Sequence, residues 1–271
     1  MNRVSFQGER GAYSEAASRK FFFEEIETVP CKTFAEALEN TSMNKSEYTI
    51  LPVENSLEGS VGESYDLLYF TTLNAIGEQY FRIEHCLIGS GKLEEVDTVY
   101  SHPQALGQCR DFLEKHRMRT VPTYDTAGSV KIIKDVGTKN VACIASEMAS
   151  EIYNMPVITR KIANNPNNYT RFLVLSNNKS NETGKDKTSI IFSIKHEPGS
   201  LYKIIKNFHD GNVNLTKIES RPNKKNVWEY NFYVDFEGHV KNSKISKMLE
   251  EVKKETLFMK ILGSYPTGKL T

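Results

Sequence analysis

Short apolar runs alternate with helix-period patterns along the first two thirds of the chain. The runs that predict strands are Val4–Phe6, Thr28–Cys31, Tyr48–Val53, Phe81–Gly89, Val96–Tyr100, Thr120–Tyr124, Val141–Ile144, Val157–Thr159 and Phe172–Leu175. Strands that alternate with helices of about 10–15 residues indicate βαβ units and a mainly parallel sheet. Two such groups, near residues 1–78 and 79–157, are followed by the return strand at Phe172. This order predicts an α/β fold with two lobes and a cleft.

Small polar residues stand where the predicted strands give way to helices. They are Ser14, Asn55, Ser56, Ser101, Thr126 and Ser146. In parallel α/β sheets the ligand crevice lies at the carboxyl ends of the strands, and helix N-termini there receive anions. Each residue could also serve as a plain helix cap, and Ser101 and the pair Asp125–Thr126 are predicted as N-caps. Several of them at one sheet edge predict a small anionic ligand.

The last third of the chain has a pattern of its own. Ser, Asn, Lys, Glu and Gly dominate the segment 179–187, which predicts a linker. Beyond it the predicted elements are a strand at Thr188–Ile194, a helix from Pro198, strands at Val213–Ile218 and Val227–Phe236, a helix at Ser243–Glu255 and a strand at Leu257–Leu262. The order βαββαβ is that of the ferredoxin-like module.

Composition narrows the class of protein. The 271 residues favour two domains, and 35 Lys+Arg against 34 Asp+Glu leave a net charge of +1, which indicates neither a nucleic-acid nor a membrane partner. The four cysteines are scattered without zinc-ligand spacing, so we predict no metal site and a reducing, cytoplasmic location. The N-terminus lacks the apolar core of a signal peptide.

Several motifs, in one order along the chain, carry a family resemblance. They are Gly8–Ala17 (GERGAYSEAA), Pro52–Gly59 (PVENSLEG), Ser101–Leu106 (SHPQAL), Asp125–Ala127 (DTA), Asn168–Phe172 (NYTRF), Pro198–Leu201 (PGSL) and Glu219–Pro222 (ESRP). Together they resemble the prephenate dehydratase family with a C-terminal ACT regulatory domain. The resemblance implies a two-lobed, periplasmic-binding-protein-like catalytic domain at 1–178 and an ACT domain at 188–271. Its lobes would be 1–78 plus 158–178, and 79–157. No chorismate-mutase-like segment precedes the first motif, so a monofunctional form is expected.

The resemblance also implies an activity. Prephenate would lose its ring carboxylate as carbon dioxide and its hydroxyl as water, giving phenylpyruvate in phenylalanine biosynthesis. Aromatisation drives this step, so no cofactor is expected. Orientation and a proton for the leaving hydroxyl are the two things that the protein must supply.

The family's motifs imply the site residues of this chain. Thr170 is expected to hydrogen-bond the leaving hydroxyl, Arg171 to anchor a carboxylate through its bidentate guanidinium, and Phe172 to shield the site. Asn168 is the neighbouring asparagine expected to take part. The substrate-binding set is Ser14, Asn55, Ser56, Gln104 and Thr126. Read by itself, the segment Asn164–Asn168 is also a plain Asn/Pro turn.

The ACT motifs imply regulation. Phenylalanine would bind between two modules, at Gly199, Ser200 and Leu201 and at Glu219, Ser220, Arg221 and Pro222, in a homodimer or homotetramer. Two other functions remain open from the sequence: an arogenate dehydratase, whose substrate carries an amine in place of the ketone, and a non-catalytic amino-acid sensor. A sensor would close on its ligand without turnover.

Overall fold

The computed structural model describes residues 1–223 and 229–270. The strands are β1 (Asn2–Gln7), β2 (Ile26–Cys31), β3 (Tyr48–Asn55), β4 (Gly59–Ser60), β5 (Asn74–Arg82), β6 (Cys86–Ile88), β7 (Thr98–Ser101), β8 (Arg119–Pro122), β9 (Val141–Ala145), β10 (Val157–Thr159), β11 (Tyr169–Ser176), β12 (Asp186–Ser193), β13 (Leu215–Pro222), β14 (Tyr230–Glu237) and β15 (Phe258–Pro266). The helices are α1 (Tyr13–Phe21), α2 (Phe34–Ser42), α3 (Gly62–Phe70), α4 (Pro103–Gln108), α5 (Arg110–Lys115), α6 (Ser129–Val136), α7 (Glu147–Tyr153), α8 (Ser200–Asp210) and α9 (Ser243–Lys254). Residues Leu93–Glu95 form a 3₁₀ turn.

Two sheets are built from the first part of the chain. The first has the strand order β2-β1-β3-β11-β5 with β4 beside β3, and β1 is parallel to both β2 and β3. The second has the order β10-β6-β9-β7-β8. In it β7 is parallel to β8 and β9, whereas β6 is antiparallel to β9 and β10. The predicted alternation of strands and helices is confirmed, and the sheets are mixed rather than wholly parallel.

Helices cover both faces of the second sheet. Along β9 the side chains alternate between two cores, since successive strand residues point to opposite faces. Ala142 and Ile144 join the core around Leu106 and Leu113, while Cys143 joins the core around Val130. This double burial explains why the whole strand is apolar.

The chain divides into two compact units. Met1–Gly62 and Gln79–Phe172 make up most of the first, and Glu63–Glu78 with Leu173–Lys269 make up the second. The second unit holds the antiparallel sheet β13-β14-β12-β15, whose core includes Phe192, Phe208 and Val252 with α8 and α9. Its order is the ferredoxin-like one that the βαββαβ pattern predicts. The predicted strand start at Val227 lies outside the described residues.

Helix α3 belongs to the second unit, which the sequence did not indicate. The Tyr65 and Tyr233 rings meet edge to face with centroids 4.8 Å apart, and the Tyr233 hydroxyl donates to the Tyr65 carbonyl over 2.8 Å. Lys260 on β15 donates from its ammonium to the Leu68 carbonyl over 3.0 Å, and to those of Tyr69 and Thr71 at the end of the helix. These bonds cap α3, because the last carbonyls of a helix lack partners within it.

The predicted linker is shorter than 179–187. Strand β12 begins at Asp186, and Asp186 and Lys187 are both buried. The Asp186 carboxylate accepts from the backbone of Thr183 and Gly184, and Lys187 forms an ion pair of 2.7 Å with Glu78. These partners make burial of charge possible. Polar composition alone therefore gave the wrong boundary.

Two predicted helix caps are also wrong. Ser101 lies at the end of β7, where its hydroxyl donates to the Ile144 carbonyl over 2.8 Å. The cap of α4 is His102, whose ring accepts from the Gln104 N–H. Similarly, α6 begins after Gly128, and Asp125 caps the preceding turn by accepting from the Gly128 N–H over 2.6 Å.

Candidate functional site

A cavity of about 280 Å³ lies within the first unit. Strand ends and helix starts of both sheets line it, as the placement of small polar residues predicts. The polar lining includes Ser14, Asn55, His85, Gln104, Thr126 and Thr170. Five of these six belong to the predicted site, and His85 does not.

The loop before α1 is held by a buried carboxylate. Glu15 accepts from the Gly11 N–H over 2.7 Å and from the Thr28 hydroxyl over 2.7 Å, and it pairs with Arg19 at 3.0 Å. Burial alone would raise the pKa of the Glu15 carboxyl, but the bonds from Gly11, Thr28 and Arg19 bring it below its ordinary value. The motif Gly8–Ala17 therefore fixes the start of α1 and with it Ser14.

Gly11 occupies a position that only glycine fits. Its φ is +88°, and a Cβ there would lie 2.6 Å from the Ala149 Cα at the start of α7. Ser146, the N-cap of α7, donates from its hydroxyl to the Gly11 carbonyl over 2.6 Å. The two helix starts thus approach each other closely beside the cavity.

Asn55 links the β3–β4 turn to β11. Its side-chain oxygen accepts from the N–H groups of Leu57 and Glu58, at 3.0 Å and 3.1 Å. These two donors fix the orientation of the amide, so that its NH₂ group faces β11. There it donates to the Asn168 side-chain oxygen over 2.7 Å and to the Thr170 hydroxyl oxygen over 3.1 Å.

Thr170 and Arg171 are neighbours on a strand, and this separates their roles. Both belong to β11 rather than to a loop, as does Phe172. Successive strand residues point to opposite faces, and Thr170 and Phe172 line the cavity whereas Arg171 does not. Arg171 is thus outside the lining of this cavity, and its expected role as a carboxylate anchor stays a prediction. Arg171 is buried.

Ser56 and Asn168 hold the site together from outside the lining. The Ser56 hydroxyl donates to the Asn167 carbonyl and accepts from the Tyr169 N–H, both over 2.9 Å. With both functions of its hydroxyl engaged, Ser56 ties the turn to β11 instead of facing the cavity. Asn168 is fully buried and joins Asn55 to Gln108, to which it donates over 2.9 Å.

Tyr13, His85 and Gln108 are among the lining residues that the sequence did not indicate as site residues. The His85 ring lies 2.9 Å from the Gln108 side-chain oxygen and 2.9 Å from the Tyr13 hydroxyl. Burial lowers the pKa of His85 and raises that of Tyr13. Gln108 lies one helical turn after Gln104, a spacing that places both on one face of α4 and that could have indicated it.

The cavity lining carries little charge. Among the residues that the structure describes, no lysine or arginine lines it, and Asp125 is its acidic member. At the start of α1, Ala12 offers no side-chain cap, and Ala12, Tyr13 and Ser14 all line the cavity. Neutral donors and the first turn of α1 are thus the groups available to an anion.

The predicted effector segments lie in the second unit. A cavity of about 300 Å³ is lined by Gly199, Ser200 and Leu201 at the start of α8. The other segment, Glu219–Pro222, forms the end of β13 and does not line this cavity. From it Arg221 forms an ion pair with Asp66 of α3, at 3.4 Å.

Two further observations concern the described residues 1–223 and 229–270. None of their helices has the length and apolarity needed to cross a membrane. Nor do their His, Cys, Asp and Glu side chains form a group of three or more suited to a metal ion.

Comparison with known proteins gives one matching family model and relatives with two named dehydratase activities. Residues 4–180 match the family model described as prephenate dehydratase. The chain is 37% identical over 271 residues to a bifunctional chorismate mutase/prephenate dehydratase of Aquifex aeolicus, covering 99% of this chain and 74% of the relative. It is also 38% identical over 284 residues to arogenate dehydratase 2 of Petunia hybrida, covering 98% and 72% of the two chains.

A solved structure supports the same grouping. The prephenate dehydratase from Arthrobacter aurescens, in complex with L-Phe, is 27% identical and superimposes with a TM-score of 0.89. The match covers 97% of this chain and 89% of that one. The predicted family resemblance and the predicted fold class are both confirmed.

Proposed function

The chain belongs to the prephenate dehydratase family, and we propose that its cavity is the active site in which Thr170 assists the departure of the substrate hydroxyl. The protein is a lyase that converts prephenate to phenylpyruvate, water and carbon dioxide. The observation that carries the proposal is the bond from the Asn55 amide to the Thr170 hydroxyl oxygen, at 3.1 Å. A hydroxyl that accepts from a fixed amide keeps its own hydrogen free to donate.

The dehydration requires a hydroxyl whose hydrogen is free to donate to the leaving oxygen of the substrate. Electrons from the carbon–carbon bond to the ring carboxylate move into the ring as carbon dioxide leaves. The carbon–oxygen bond at the opposite ring carbon breaks, and the departing hydroxide takes up one proton to become water. A threonine hydroxyl is a weak acid, so Thr170 acts by donating a hydrogen bond as charge develops on the leaving oxygen, and the net proton comes from solvent. A positioned donor of this kind contributes about 10²–10⁴-fold.

Substrate binding falls to neutral groups. Ser14 with the first turn of α1, Gln104 and Thr126 surround the cavity and can donate to the two carboxylates and the ketone of prephenate. Phe172 supplies an apolar wall next to Thr170. An anion held by dipoles rather than by a full positive charge keeps its tendency to leave as neutral carbon dioxide.

The remaining motif residues support this arrangement. Asn168 orients Asn55, Ser56 fixes the turn, and Arg171 lies on β11 outside the cavity lining. Arg171→Lys would keep a cation there, and Arg171→Met would not. Under this proposal both variants lose stability more than they lose substrate affinity. A large rise in KM with unchanged stability would return Arg171 to a substrate-binding role.

The two candidate substrates differ at one group, a ketone in prephenate and an amine in arogenate. Relatives of both kinds match the chain over nearly its whole length. We assign prephenate because the matched family model carries that name. Incubating the protein with each substrate and identifying the product decides between them: phenylpyruvate supports the assignment, and phenylalanine from arogenate alone contradicts it. No turnover of either substrate would favour the non-catalytic sensor.

The second unit is proposed to be an ACT domain that binds phenylalanine as a feedback inhibitor. The two motif segments of one chain do not line a common cavity, which supports a site shared by two copies in a homodimer or homotetramer. Gly199, Ser200 and Leu201 would come from one copy, and Glu219, Ser220 and Pro222 from its partner. Arg221 pairs with Asp66 within its own chain, so its proposed role is to connect the effector strand to α3.

Regulation can be tested separately from catalysis. Phenylalanine is titrated against turnover and against oligomer size, with Ser200→Trp as a variant that fills the start of α8. Inhibition in the parent and its loss in the variant support the proposal. Unchanged turnover and size in the parent would leave the domain without an effector role.

The domain boundaries and the location remain proposals as well. The match over residues 4–180 supports a catalytic domain at 1–178, although the segment Glu63–Glu78 packs in the second unit. The ACT domain is proposed at 188–271, although its first strand, β12, already begins at Asp186. A cytoplasmic location stays a prediction from the sequence.

A further inference from the structure

A second set of side chains meets the catalytic network at Gln108, and its central residue, His85, belongs to none of the family motifs. His85 lies between β5 and β6, and only 3% of it is exposed to solvent. One ring nitrogen, Nε2, is 2.9 Å from the Gln108 Oε1 atom, and the other, Nδ1, is 2.9 Å from the Tyr13 hydroxyl. Both nitrogens therefore have a protein partner.

The orientation of Gln108 is fixed by its neighbours. Its Oε1 atom accepts from the Asn168 amide over 2.9 Å, and its Nε2 atom donates to the Glu58 carboxylate over 3.0 Å. Because Oε1 can only accept, His85 must carry its proton on Nε2 to bond there. The neutral ring then has its acceptor nitrogen Nδ1 facing the Tyr13 hydroxyl, whose one hydrogen is shared with the Glu84 carbonyl, also 2.9 Å away. Burial, which lowers the pKa of His85, favours this neutral form.

The bonds continue from Gln108 to the catalytic hydroxyl. Asn168 donates to Gln108 and accepts from Asn55, and Asn55 in turn donates to Thr170. If the Gln108 amide turned over, its NH₂ group would face the Asn168 NH₂ group, and two donors cannot bond. Asn168 would then be free to turn, and its oxygen would no longer hold Asn55 in place.

We propose that His85 is a positioning residue for dehydration: through an Nε2–H bond it sets the orientation of Gln108, and thereby that of Asn168, Asn55 and the Thr170 hydroxyl. It acts through other residues and is not a proton donor to the substrate. Amide groups separate it from Thr170, and they do not pass protons along as hydroxyls and imidazoles do. The proposal rests on the proposed role of Thr170.

Two substitutions divide the functions of the ring. Glutamine places a side-chain N–H near the position of the histidine Nε2, and asparagine can place its side-chain oxygen, an acceptor, near the position of Nδ1. His85→Gln therefore keeps the donor to Gln108 and loses the contact to Tyr13, while His85→Asn does the reverse. We expect His85→Asn to lower kcat about 10-fold or more with KM nearly unchanged, since a small misplacement at the reacting group costs up to about 10²-fold. His85→Gln should stay within about 3-fold of the parent on the same grounds.

The outcomes are distinguishable. Equal losses in the two variants, or full activity in His85→Asn, would overturn the proposal. Tyr13→Phe is the matched control on the other side of the ring, and it should affect kcat less than His85→Asn does. If Thr170→Val retains activity while His85→Asn loses it, the proposed role of Thr170 fails and His85 acts by another route.

A measurement on the unaltered protein keeps the test valid if a variant fails to fold. The ¹⁵N chemical shifts of the imidazole report which nitrogen carries the proton. The proposal requires a neutral ring protonated at Nε2 in the full-length protein. A ring protonated at Nδ1 alone would overturn it.

Discussion

The side-chain amide of Asn55 donates a hydrogen bond to the hydroxyl oxygen of Thr170 over 3.1 Å. The oxygen of the same side-chain amide accepts hydrogen bonds from the backbone N–H groups of Leu57 and Glu58. The amide therefore has one stable orientation. Thr170 is thereby polarised by an uncharged neighbour that lies far away in the sequence. The adjacent cation, Arg171, is on the other face of the strand.

Replacing Asn55 by aspartate keeps the acceptor that holds the turn and removes the donor to Thr170. The carboxylate still accepts from Leu57 and Glu58 but cannot donate to Thr170, which would then donate to it instead of to the substrate. We expect Asn55→Asp to fold normally and to lose about 10²-fold in kcat, the lower end of what a positioned donor contributes. Steady-state kinetics with a thermal unfolding curve check this. Activity within 3-fold of the parent, with an intact fold, would show that the donor is dispensable.

Acid should weaken the loop that precedes α1. The folded-state pKa of Glu15 lies below its ordinary value of 4.5, so the carboxylate stabilises the fold above that pH. This stabilisation is lost as the pH falls from about 5 through the lowered folded-state pKa. The free energy of unfolding of Glu15→Gln should therefore depend less on pH between about 5 and 3 than that of the parent. Parallel curves for the two proteins in denaturant titrations would contradict the assignment.

Gly11 should tolerate no side chain. A Cβ at this position would meet the Ala149 backbone at 2.6 Å, and the φ of +88° disfavours any other residue. Gly11→Ala is expected to lower the free energy of unfolding by about 1–3 kcal/mol. Gly107→Ala is the matched control, because nothing lies within 4 Å of a Cβ there and the residue is inside α4. If the two variants unfold at the same denaturant concentration, the close approach of the helix starts has been misjudged.

The buried pair of Glu78 and Lys187 should behave as a unit. Their side chains are 0% and 7% exposed, and Glu78 also accepts from the Gly268 N–H over 2.9 Å. Lys187→Met leaves a buried carboxylate without its cation and should cost about 3–5 kcal/mol. Adding Glu78→Gln should recover part of that loss, since a neutral amide can still accept from Gly268. A double variant whose loss equals the sum of the single losses would show that the two residues are not coupled.

The sequence predicted the architecture well because the relevant signals are local. Fully apolar strands such as β9 indicate burial on both faces, and the βαββαβ order determines the ferredoxin-like sheet. Boundaries were less accurate where a partner is distant in sequence. The composition around Lys187 is that of a linker, and the sequence does not show its ion pair with Glu78, which is 109 positions away.

The site was predicted only in part, again because the sequence does not show contacts between distant segments. Motif residues identify Asn55 and Thr170, but sequence alone does not say which of Thr170 and Arg171 faces the cavity. That depends on the register of β11 between its neighbours. His85 belongs to no motif that the sequence displayed, and a lone histidine is recognised as part of a network only when both of its ring partners are seen.

The most direct test of the account is the turnover of Thr170→Val beside Thr170→Ser. Valine matches threonine in shape and removes only the hydroxyl, whereas serine keeps the hydroxyl and removes the methyl group. The account predicts that Thr170→Val loses about 10²–10⁴-fold in kcat for prephenate while still binding it, and that Thr170→Ser retains most of the activity. A folded Thr170→Val protein with kcat within a few-fold of the parent would contradict it.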